Sequence, residues 1–369
     1  MQSKNTFIPL AIPDLRGDIS GPILKVIKEN WLSTAGKEIN ELESQIANIS
    51  NSKYALATIT GSSALHLALK TLGIGKKHKV LIPDLTFAAT INAVILSGAT
   101  PIIVDVNDHN WTIDLKLTEQ AMNLHKPDAL IVVHTLGNPA EISQLKDLCK
   151  KYEVLFIEDA AGAIGATYKN KPVGSFGNAG IYSFNGNKII TTGAGGALLL
   201  NSNKLYLKAK LLYSQARVGK EYNYEDVGYN YRMPNINAVL GLSQINYLSD
   251  FIKDKRKIAS IYDEAFFKRK DIIPMPRLKE GKSSCWLYSI RTASKKDSLS
   301  LINYLYENNI ESRLFWNALS AQRPYKSYDK YLNGISYKLT GTIVSIPCST
   351  SLNINNQERV IDLIMKWKG

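Results

Sequence analysis

Cysteine is scarce in this chain of 369 residues, and the placement of the few that occur excludes two kinds of site. The three cysteines form neither a CxxC pair nor a His/Cys spacing typical of metal ligands; they are Cys149, Cys285 and Cys348. A disulfide framework and a structural zinc site are therefore not expected, and we predict no metal. So few cysteines fit a protein of the reducing cytoplasm.

Long apolar runs are missing as well. Nowhere do about 18 apolar residues follow one another, which is the length that a membrane-spanning helix requires. The first ten residues, MQSKNTFIPL, contain no apolar core of signal-peptide length. We therefore predict a cytoplasmic protein without a membrane partner.

The chain also lacks a cluster of basic residues, although its net charge is +13, from 45 Lys and Arg against 32 Asp and Glu. Such an excess fits an anionic, phosphorylated substrate or nonspecific affinity for nucleic acid, and it also fits a lysine-rich, solvated surface. A nucleic-acid binder needs clustered charge interleaved with aromatic residues, whereas the basic residues here are scattered. We therefore predict no nucleic-acid partner.

What the chain does have is a regular alternation of short apolar runs and segments with helical spacing. Between residues 50 and 160 this alternation predicts crossover units on a mostly parallel sheet. The predicted strands span residues 54–58, 80–82, 101–104, 129–133, 154–157, 180–184 and 196–200. The helices predicted among and after them span residues 62–72, 86–97, 115–124, 141–152 and 204–215.

The pattern changes after residue 235. Residues 235–267 have the spacing of one long helix, with Asn235 as its N-cap. The rest reads as an α/β tail of its own, with strands at 286–291 and 310–313 and helices at 298–307 and 357–367. The length allows a large domain and a smaller one, and we predict them at residues 1–250 and 251–369.

Lys188 is the first candidate for chemistry, in the segment SFNGNKIITTGAGG that begins at Ser183. It follows one predicted strand and precedes another, among small residues that allow a ligand to approach closely. Lysine amines form Schiff bases with aldehydes, and enzymes hold pyridoxal 5'-phosphate (PLP) in this way. A hydroxyl at Ser183 suits a phosphate. The alternative is a surface lysine before a glycine-rich turn.

Asp159 is the second candidate, because it ends an apolar run and so lies at the carboxyl end of a buried strand, where ligands of open α/β sheets bind. A carboxylate there can pair with the protonated ring nitrogen of PLP. The alternative is a helix cap after the strand. Glu158 is expected on the opposite face, since successive strand residues alternate.

Two further features sit at predicted strand ends. Gly61, Ser62 and Ser63 start a helix, whose free N–H groups and dipole make a phosphate site, although any serine-capped turn looks similar. Phe87 follows the next strand, where its ring is able to stack on a cofactor or simply belong to the core. The four features agree on one PLP site, which is stronger evidence than any of them alone.

The motifs together resemble the DegT/DnrJ/StrS sugar aminotransferases over nearly the whole chain. The resemblance rests on TGSSALHLAL, DLTFAAT, VHTLGNPA, EDAA, SFNGNKIITTGAGG and GYNYRMPNINAVLGLSQ, and in the tail on WLYSIR and ESRLFW. It implies a PLP fold type I (aspartate-aminotransferase-like) large domain with a smaller C-terminal α/β domain. It also implies a homodimer with shared active sites.

The resemblance also implies roles for individual residues. Lys188 is the Schiff-base lysine and Asp159 the partner of the pyridine nitrogen, Phe87 stacks on the ring, and the phosphate is held by Ser62, Ser63 and Ser183. Asn230 reaches the cofactor of the neighbouring subunit. The substrate candidates are Ser33 and Thr34 in an N-terminal loop, Arg232 near the shared site, and Arg313 and Trp316 in the tail.

Three positions depart from the family pattern. Gly162 follows EDAA where the family usually has Gln, His or Glu, and Ala194 replaces a Glu or Gly. Ser320 stands where a histidine near the sugar nucleotide is usual. These departures bear on the substrate, since the lysine and the aspartate are intact.

The function implied is transfer of an amino group, from glutamate, to a nucleotide-linked 4-keto-6-deoxy sugar for surface polysaccharide or glycan precursors. The alternatives are amination at carbon 3, or a catalytically inactive PLP-binding regulatory protein. A dehydratase of the same family would carry histidine in place of Lys188.

Overall fold

The computed structural model describes residues 6–368. The first five residues of the predicted large domain, which are also half of the segment considered for a signal peptide, lie outside the described part. The helices are α1 (Ser20–Lys28), α2 (Lys37–Ser50), α3 (Gly61–Thr71), α4 (Ala88–Ser97), α5 (Leu115–His125), α6 (Ile142–Lys151), α7 (Asn203–Leu212), α8 (Asn235–Ile245), α9 (Leu248–Phe266), α10 (Lys295–Glu307), α11 (Ile335–Leu339) and α12 (Ile354–Lys366). The strands are β1 (Tyr54–Thr58), β2 (Lys79–Pro83), β3 (Thr100–Val104), β4 (Ala129–Val133), β5 (Leu155–Asp159), β6 (Thr167–Tyr168), β7 (Lys171–Pro172), β8 (Ala179–Ser183), β9 (Gly196–Leu200), β10 (Arg217–Val218), β11 (Asn223–Tyr224), β12 (Ile273–Pro274), β13 (Gly281–Lys282), β14 (Tyr288–Arg291), β15 (Arg313–Leu314), β16 (Lys330–Tyr331) and β17 (Ile343–Ile346).

A central sheet carries the first part of the chain. Within the described residues it has eight strands in the order β1-β9-β8-β5-β4-β2-β3-β16. β9 runs antiparallel to both of its neighbours, and the other pairings are parallel. The predicted α/β class with a mostly parallel sheet is confirmed. The carboxyl ends of β1, β5 and β8 therefore meet at the same edge of the sheet.

Apolar residues cover both faces of this sheet. In β4, Leu130 and Val132 belong to one core cluster while Ala129 and Ile131 belong to the other. Strands buried on both sides need a continuous apolar run, which is why these segments were readable in the sequence. The residues of β5 alternate in the same way, and this alternation sends Glu158 and Asp159 to opposite faces.

The predicted long helix at residues 235–267 is wrong in two respects. The chain forms two helices, α8 and α9, with a break at Asn246 and Tyr247. Pro234 is the N-cap of α8, because its backbone is extended (φ −64°, ψ 146°), and Asn235 is the first helical residue. The Asn235 amide donates to the carbonyl oxygen of Trp31 (3.0 Å) and to Glu38 Oε2 (2.8 Å), so it fastens the N-terminal loop instead of capping its own helix.

A second sheet, of order β12-β14-β17-β15, carries the tail. α9, α10 and α12 pack on it in a cluster that also takes up Ile8 from the N-terminal segment. The main-chain N–H of Ile8 donates to the carbonyl of Asn309 (2.9 Å), and β16 of the tail pairs with β3 of the central sheet. Segments that cross from one part to the other thus connect the core of the central sheet to the core of the tail. The predicted domain boundary at residue 250 stays a prediction.

Residues 6–368 contain neither a membrane-spanning helix nor a cluster of metal ligands. No helix there is both long enough and apolar enough to span a bilayer. Nor do three or more His, Cys, Asp or Glu side chains come close enough together there to hold a metal ion. The three cysteines are buried and unpaired.

Candidate active site

A cavity of about 390 Å³ opens at the carboxyl ends of β5 and β8, between the central sheet and three segments of the tail. Most of the residues that the sequence predicted for the site line it: Gly61, Ser62, Phe87, Asp159, Ser183, Lys188, Arg313 and Trp316. These positions are spread over about 250 residues of the sequence, and the fold brings them around a single volume.

Asp159 lies at the end of β5 and is 6% exposed. Its Oδ2 accepts a hydrogen bond from the Thr90 hydroxyl (2.9 Å) and its Oδ1 accepts from the Ala161 N–H (3.2 Å). Burial raises the pKa of this carboxyl, while the two hydrogen bonds and the charge of Lys188 act in the opposite direction. The Thr90 contact was not predicted, since nothing in the sequence links α4 to β5.

Glu158 lies on the other face, as expected, and has a structural role. Its carboxylate accepts hydrogen bonds from the N–H groups of Gly174 (2.9 Å), Phe176 (2.6 Å) and Gly177 (2.9 Å). The ring of His134 contacts it at 3.1 Å. Of the two neighbouring carboxylates, therefore, only Asp159 faces the cavity.

Lys188 is half-buried in the loop between β8 and β9. Burial lowers the pKa of its amine to about 7, and the nearby Asp159 carboxylate opposes that shift. The amine nitrogen lies 3.3 Å from the centre of the Trp286 ring. A lysine with this pKa is able to exchange a proton at neutral pH, which fits a catalytic amine and not a solvated surface lysine.

The start of α3 forms one end of the cavity. The Thr60 hydroxyl caps the helix by accepting a hydrogen bond from the Ser63 N–H (3.0 Å), and the Ser63 hydroxyl lies 2.9 Å from that of Thr60. Ser63 thus belongs to the helix cap and not to the cavity wall, unlike Gly61 and Ser62. A Cβ on Gly61 would lie 2.9 Å from the Cβ of Ser183, so glycine is needed for the two elements to approach this closely.

Aromatic rings line the opposite side. Phe87 is 56% exposed and therefore does not belong to the core. Its ring centre lies 5.5 Å from that of Trp316, and Trp316 in turn lies 4.4 Å from Phe315 and 6.4 Å from Trp286. The tail thus contributes three rings to the cavity, of which Trp316 packs against Phe87. Phe315 and Trp286 were not predicted, because the tail carries no local signal for contact with the large sheet.

Some predicted residues lie away from this cavity. Among the described residues, Ser33, Thr34, Ser63, Asn230 and Arg232 are not part of its lining. Ser33 and Asn230 are exposed. The Arg232 guanidinium lies 5.7 Å from the ring of Tyr213.

Arg313 does line the cavity, but its guanidinium is largely exposed. It donates to Glu311 Oε1 at 2.5 Å. This ion pair holds Arg313 at the rim of the cavity, where it remains reachable from solvent.

The structure explains two of the departures from the family pattern and corrects one expectation. A Cβ on Gly162 would lie 2.3 Å from Cε3 of Trp286, so the indole occupies the space of a side chain there. Ser320 is 2% exposed and does not face the substrate side of the cavity, contrary to expectation. Its N–H and hydroxyl donate to the two oxygens of Asp84 (2.7 and 2.8 Å), which fixes the tail to the end of β2. Ala194 lines the cavity.

These residues fit PLP by the chemistry of their groups. An amine, a buried carboxylate, a helix start beside a serine hydroxyl, and an open aromatic face surround one volume. The amine suits the aldehyde of the cofactor, and the carboxylate suits its ring nitrogen. The helix start and the serine hydroxyl suit the phosphate, and the aromatic face suits the ring.

Comparison with known proteins agrees with this fit. A model of the DegT/DnrJ/EryC1/StrS aminotransferase family matches residues 13–365. GDP-perosamine synthase of Escherichia coli O157:H7 is 37% identical over 312 residues, which are 83% of this chain and 84% of that protein. A UDP-4-amino-4,6-dideoxy-N-acetyl-beta-L-altrosamine transaminase of Campylobacter jejuni is 33% identical over 93% of this chain and 92% of its own.

A solved structure supports the same assignment. Helicobacter pylori PseC, an aminotransferase involved in the biosynthesis of pseudoaminic acid, has a TM-score of 0.91 and 26% identity, over 98% of this chain and 99% of that chain. The family expected from the motifs is confirmed. The chain belongs to the DegT/DnrJ/EryC1/StrS family of PLP-dependent aminotransferases.

Proposed function

We propose that this enzyme transfers the amino group of glutamate to carbon 4 of a nucleotide-linked 4-keto-6-deoxy sugar, for surface polysaccharide or glycan precursors. The observation that carries the proposal is the pairing of Lys188 and Asp159 across one cavity, in a chain 37% identical to a GDP-perosamine synthase. The scattered positive charge of the chain suits the phosphates of such a substrate.

The cofactor supplies the part of the chemistry that amino acids cannot. When bound, PLP provides an aldehyde that takes up an amino group and a ring that accepts electrons from the neighbouring carbon. Lys188 holds the cofactor through its amine and, once free, moves a proton at the α-carbon of the amino donor. Asp159, oriented by Thr90, keeps the ring nitrogen protonated. Phe87 packs on the ring.

The phosphate of the cofactor belongs at the start of α3 in this proposal. Gly61 and Ser62 are at the first positions of the helix, whose N–H groups have no intrahelical acceptor, and Ser183 adds a hydroxyl beside them. Burial of Ser183, which is 9% exposed, keeps water from competing for the phosphate oxygens.

The substrate side of the site is shared between two subunits in this proposal. Arg313 and Trp316 line the cavity of their own chain and are the candidates for binding the nucleotide sugar. Ser33 and Asn230 are exposed and lie away from that cavity, which suits a role in the site of a second copy. Thr34 and Arg232, in the same two segments, are assigned to the shared site with them. We therefore infer a homodimer.

Substitution of Lys188 tests the central assignment. Lys188→Ala should abolish amine transfer from glutamate to GDP- or UDP-linked 4-keto-6-deoxy sugars, because Lys188 is the only lysine among the described residues that line the cavity. The measurement is the formation of 2-oxoglutarate and of the amino sugar, whose aminated carbon is identified by NMR. Lys150→Ala, which removes an exposed lysine of α6, serves as the control and should be fully active.

A second readout does not depend on turnover. Borohydride treatment of the wild-type protein with PLP should leave a stable adduct on the peptide that contains Lys188, and Lys188→Ala should leave none. Transfer at the wild-type rate by Lys188→Ala, or an adduct on another lysine, would overturn the assignment. Amination at carbon 3 would refute the proposed regiochemistry alone.

A further inference from the structure

The indole of Trp286 makes a contact that no role assigned so far uses. Its ring centre lies 3.3 Å from the Lys188 nitrogen, and the side chain is 4% exposed. A cation this close to the face of a tryptophan is attracted by the negative face of the ring, most strongly where water is excluded. We propose that Trp286 is a positioning residue whose ring face stabilises the protonated form of the free Lys188 amine against the effect of burial. This inference rests on the proposed function, in which Lys188 is the reactive amine.

Trp286 is fixed in place by contacts on both its ring and its backbone. Its Nε1–H donates to the carbonyl oxygen of Asn187 (2.8 Å), the residue before Lys188. Its own carbonyl accepts from the buried amine of Lys255 (2.9 Å), which also donates to the carbonyl of Cys348 (2.5 Å). The indole is therefore held from two directions and has little freedom to turn away from the lysine.

The segment that carries Trp286 is bound to loops of the large sheet. The Ser283 hydroxyl and the Ser284 N–H both donate to the carbonyl of Gly137, at 2.9 and 3.0 Å. The Ser284 hydroxyl donates to the carbonyl of Gly162 (3.3 Å). Although Trp286 comes from the tail, its position relative to the cavity is thus set by the large sheet.

Gly162 makes room for this arrangement. A Cβ there would lie 2.3, 2.8 and 3.0 Å from three ring atoms of Trp286, so any other residue would push the indole off the lysine. The glycine at this position and the tryptophan opposite it are therefore complementary. The family pattern has a polar side chain after EDAA. Here Gly162 leaves that space to the Trp286 ring, whose face is directed at the Lys188 amine.

Two opposing effects set the protonation of Lys188. Removal from water favours the neutral amine, whereas the Asp159 carboxylate and the ring face favour the ammonium form. An amine that must take up a proton in one step and release it in another works best when both forms are populated near neutral pH. Trp286 both excludes water and stabilises the cation. An aliphatic side chain of similar size would exclude water but would not stabilise the cation.

Competitive acylation of lysines tests this inference directly. The full-length protein, freed of cofactor and checked by circular dichroism, is labelled over a range of pH, and the labelling of the Lys188 peptide is compared with that of exposed lysines by mass spectrometry. Trp286→Leu keeps an apolar side chain beside the half-buried lysine but removes the ring face. The half-point of its labelling should move to lower pH, so that labelling at pH 6 rises about four- to eightfold.

Two further variants make the result specific. Trp286→Phe keeps a ring face and should change labelling at pH 6 by about twofold or less. Trp316→Leu opens the same cavity without removing the ring that faces the amine, and its half-point should not move to lower pH, because added water favours the ammonium form. If Trp286→Leu leaves the half-point unchanged, moves it to higher pH, or matches Trp316→Leu, the inference is wrong.

The outcome is independent of the proposed function. Labelling reports the titration of Lys188 whether or not that residue binds the cofactor, while the borohydride adduct reports cofactor attachment alone. A missing adduct with a shifted half-point would refute the reactive role of Lys188 and leave the Trp286 contact standing.

Discussion

Glu43 of α2 is a partly buried acid that no role in catalysis explains. Its Oε1 accepts a hydrogen bond from the N–H of Ala57 in β1 (2.8 Å). Burial raises the pKa of the carboxyl to about 7, and this hydrogen bond together with the charges of Lys210 and Arg232 opposes the shift only in part. The folded protein thus binds a proton on Glu43 more tightly than the unfolded chain does. The stability from this group is complete below the ordinary glutamate pKa and is lost as the pH rises through about 7.

Glu43→Gln should remove this pH dependence. The glutamine keeps a carbonyl oxygen for the Ala57 N–H but has no charge to bury. We expect the variant to match the wild type near pH 4.5 and to exceed it at pH 8 by about 1 to 3 kcal/mol in the free energy of unfolding. Urea unfolding at the two pH values measures the difference. Glu358→Gln, which changes an exposed glutamate, is the control and should unfold like the wild type at both pH values. Equal urea unfolding curves for Glu43→Gln and the wild type at pH 8 would contradict the argument.

At the scale of elements, the start of α3 packs so closely against β9 that no side chain fits between their backbones at Gly196. A Cβ on Gly196 would lie 2.5 Å from the nitrogen of Gly61 and 2.6 Å from the carbonyl carbon of Thr60, which are backbone atoms that cannot rotate away. The same turn of α3 lines the cavity and is the proposed phosphate site, so under that proposal a displacement there acts on both stability and cofactor binding.

Gly196→Ala should therefore weaken both properties. We expect a loss of about 1 to 3 kcal/mol in unfolding free energy from overpacking, and a weaker affinity for PLP in equilibrium titrations followed by absorbance. Gly186→Ala is the matched control, since a Cβ there meets nothing within 4 Å. Wild-type affinity for PLP in Gly196→Ala would show that the helix start does not hold the phosphate.

The elements also show what a sequence allows one to predict. Strands buried on both faces are continuous apolar runs, so β5 and β8 were located, and with them Asp159 and Ser183 at their ends. The break between α8 and α9 was not, because neither glycine nor proline marks Asn246 and Tyr247.

The contacts that complete the site were missed for a different reason. Trp286 is 98 residues from Lys188, and Thr90 is 69 residues from Asp159, so their pairing depends on the arrangement of whole elements. No local pattern reports such a pairing. The motifs identified Lys188 and Asp159 as candidates, and the structure was needed to find Trp286 and Thr90, which contact them.

At the scale of the whole molecule, the proposed active site shared by two subunits predicts the activity of mixed dimers. Lys188→Ala and Asn230→Ala should each be impaired alone, the latter because its side chain is missing from the neighbouring site. A dimer of one variant with the other contains one site with both residues intact. Random mixing of equal amounts after reversible dissociation should restore about a quarter of the wild-type activity, since half of the dimers are mixed and each has one good site.

Sedimentation and activity assays check this expectation together. The sedimenting mass should be twice the 41.0 kDa of one chain. If Asn230 acts within its own subunit, mixing will restore nothing. Full activity of Asn230→Ala alone would remove this residue from the site.

The N-terminal segment is hydrogen-bonded to the tail, and this contact determines when the cavity wall can form during synthesis of the chain. The N–H of Leu10, a residue of the cavity wall, donates to Glu311, which is made 301 residues later. At about 5 to 20 residues per second, Glu311 is synthesised roughly 15 to 60 seconds after Leu10. In that interval a nascent chain can assemble the strands of the central sheet up to β9, while Lys188 still lacks the part of the cavity wall that the tail contributes. The cavity around Lys188 is therefore enclosed only after the tail has been synthesised, and a chain released before that point would contain the Lys188 amine without its enclosing wall.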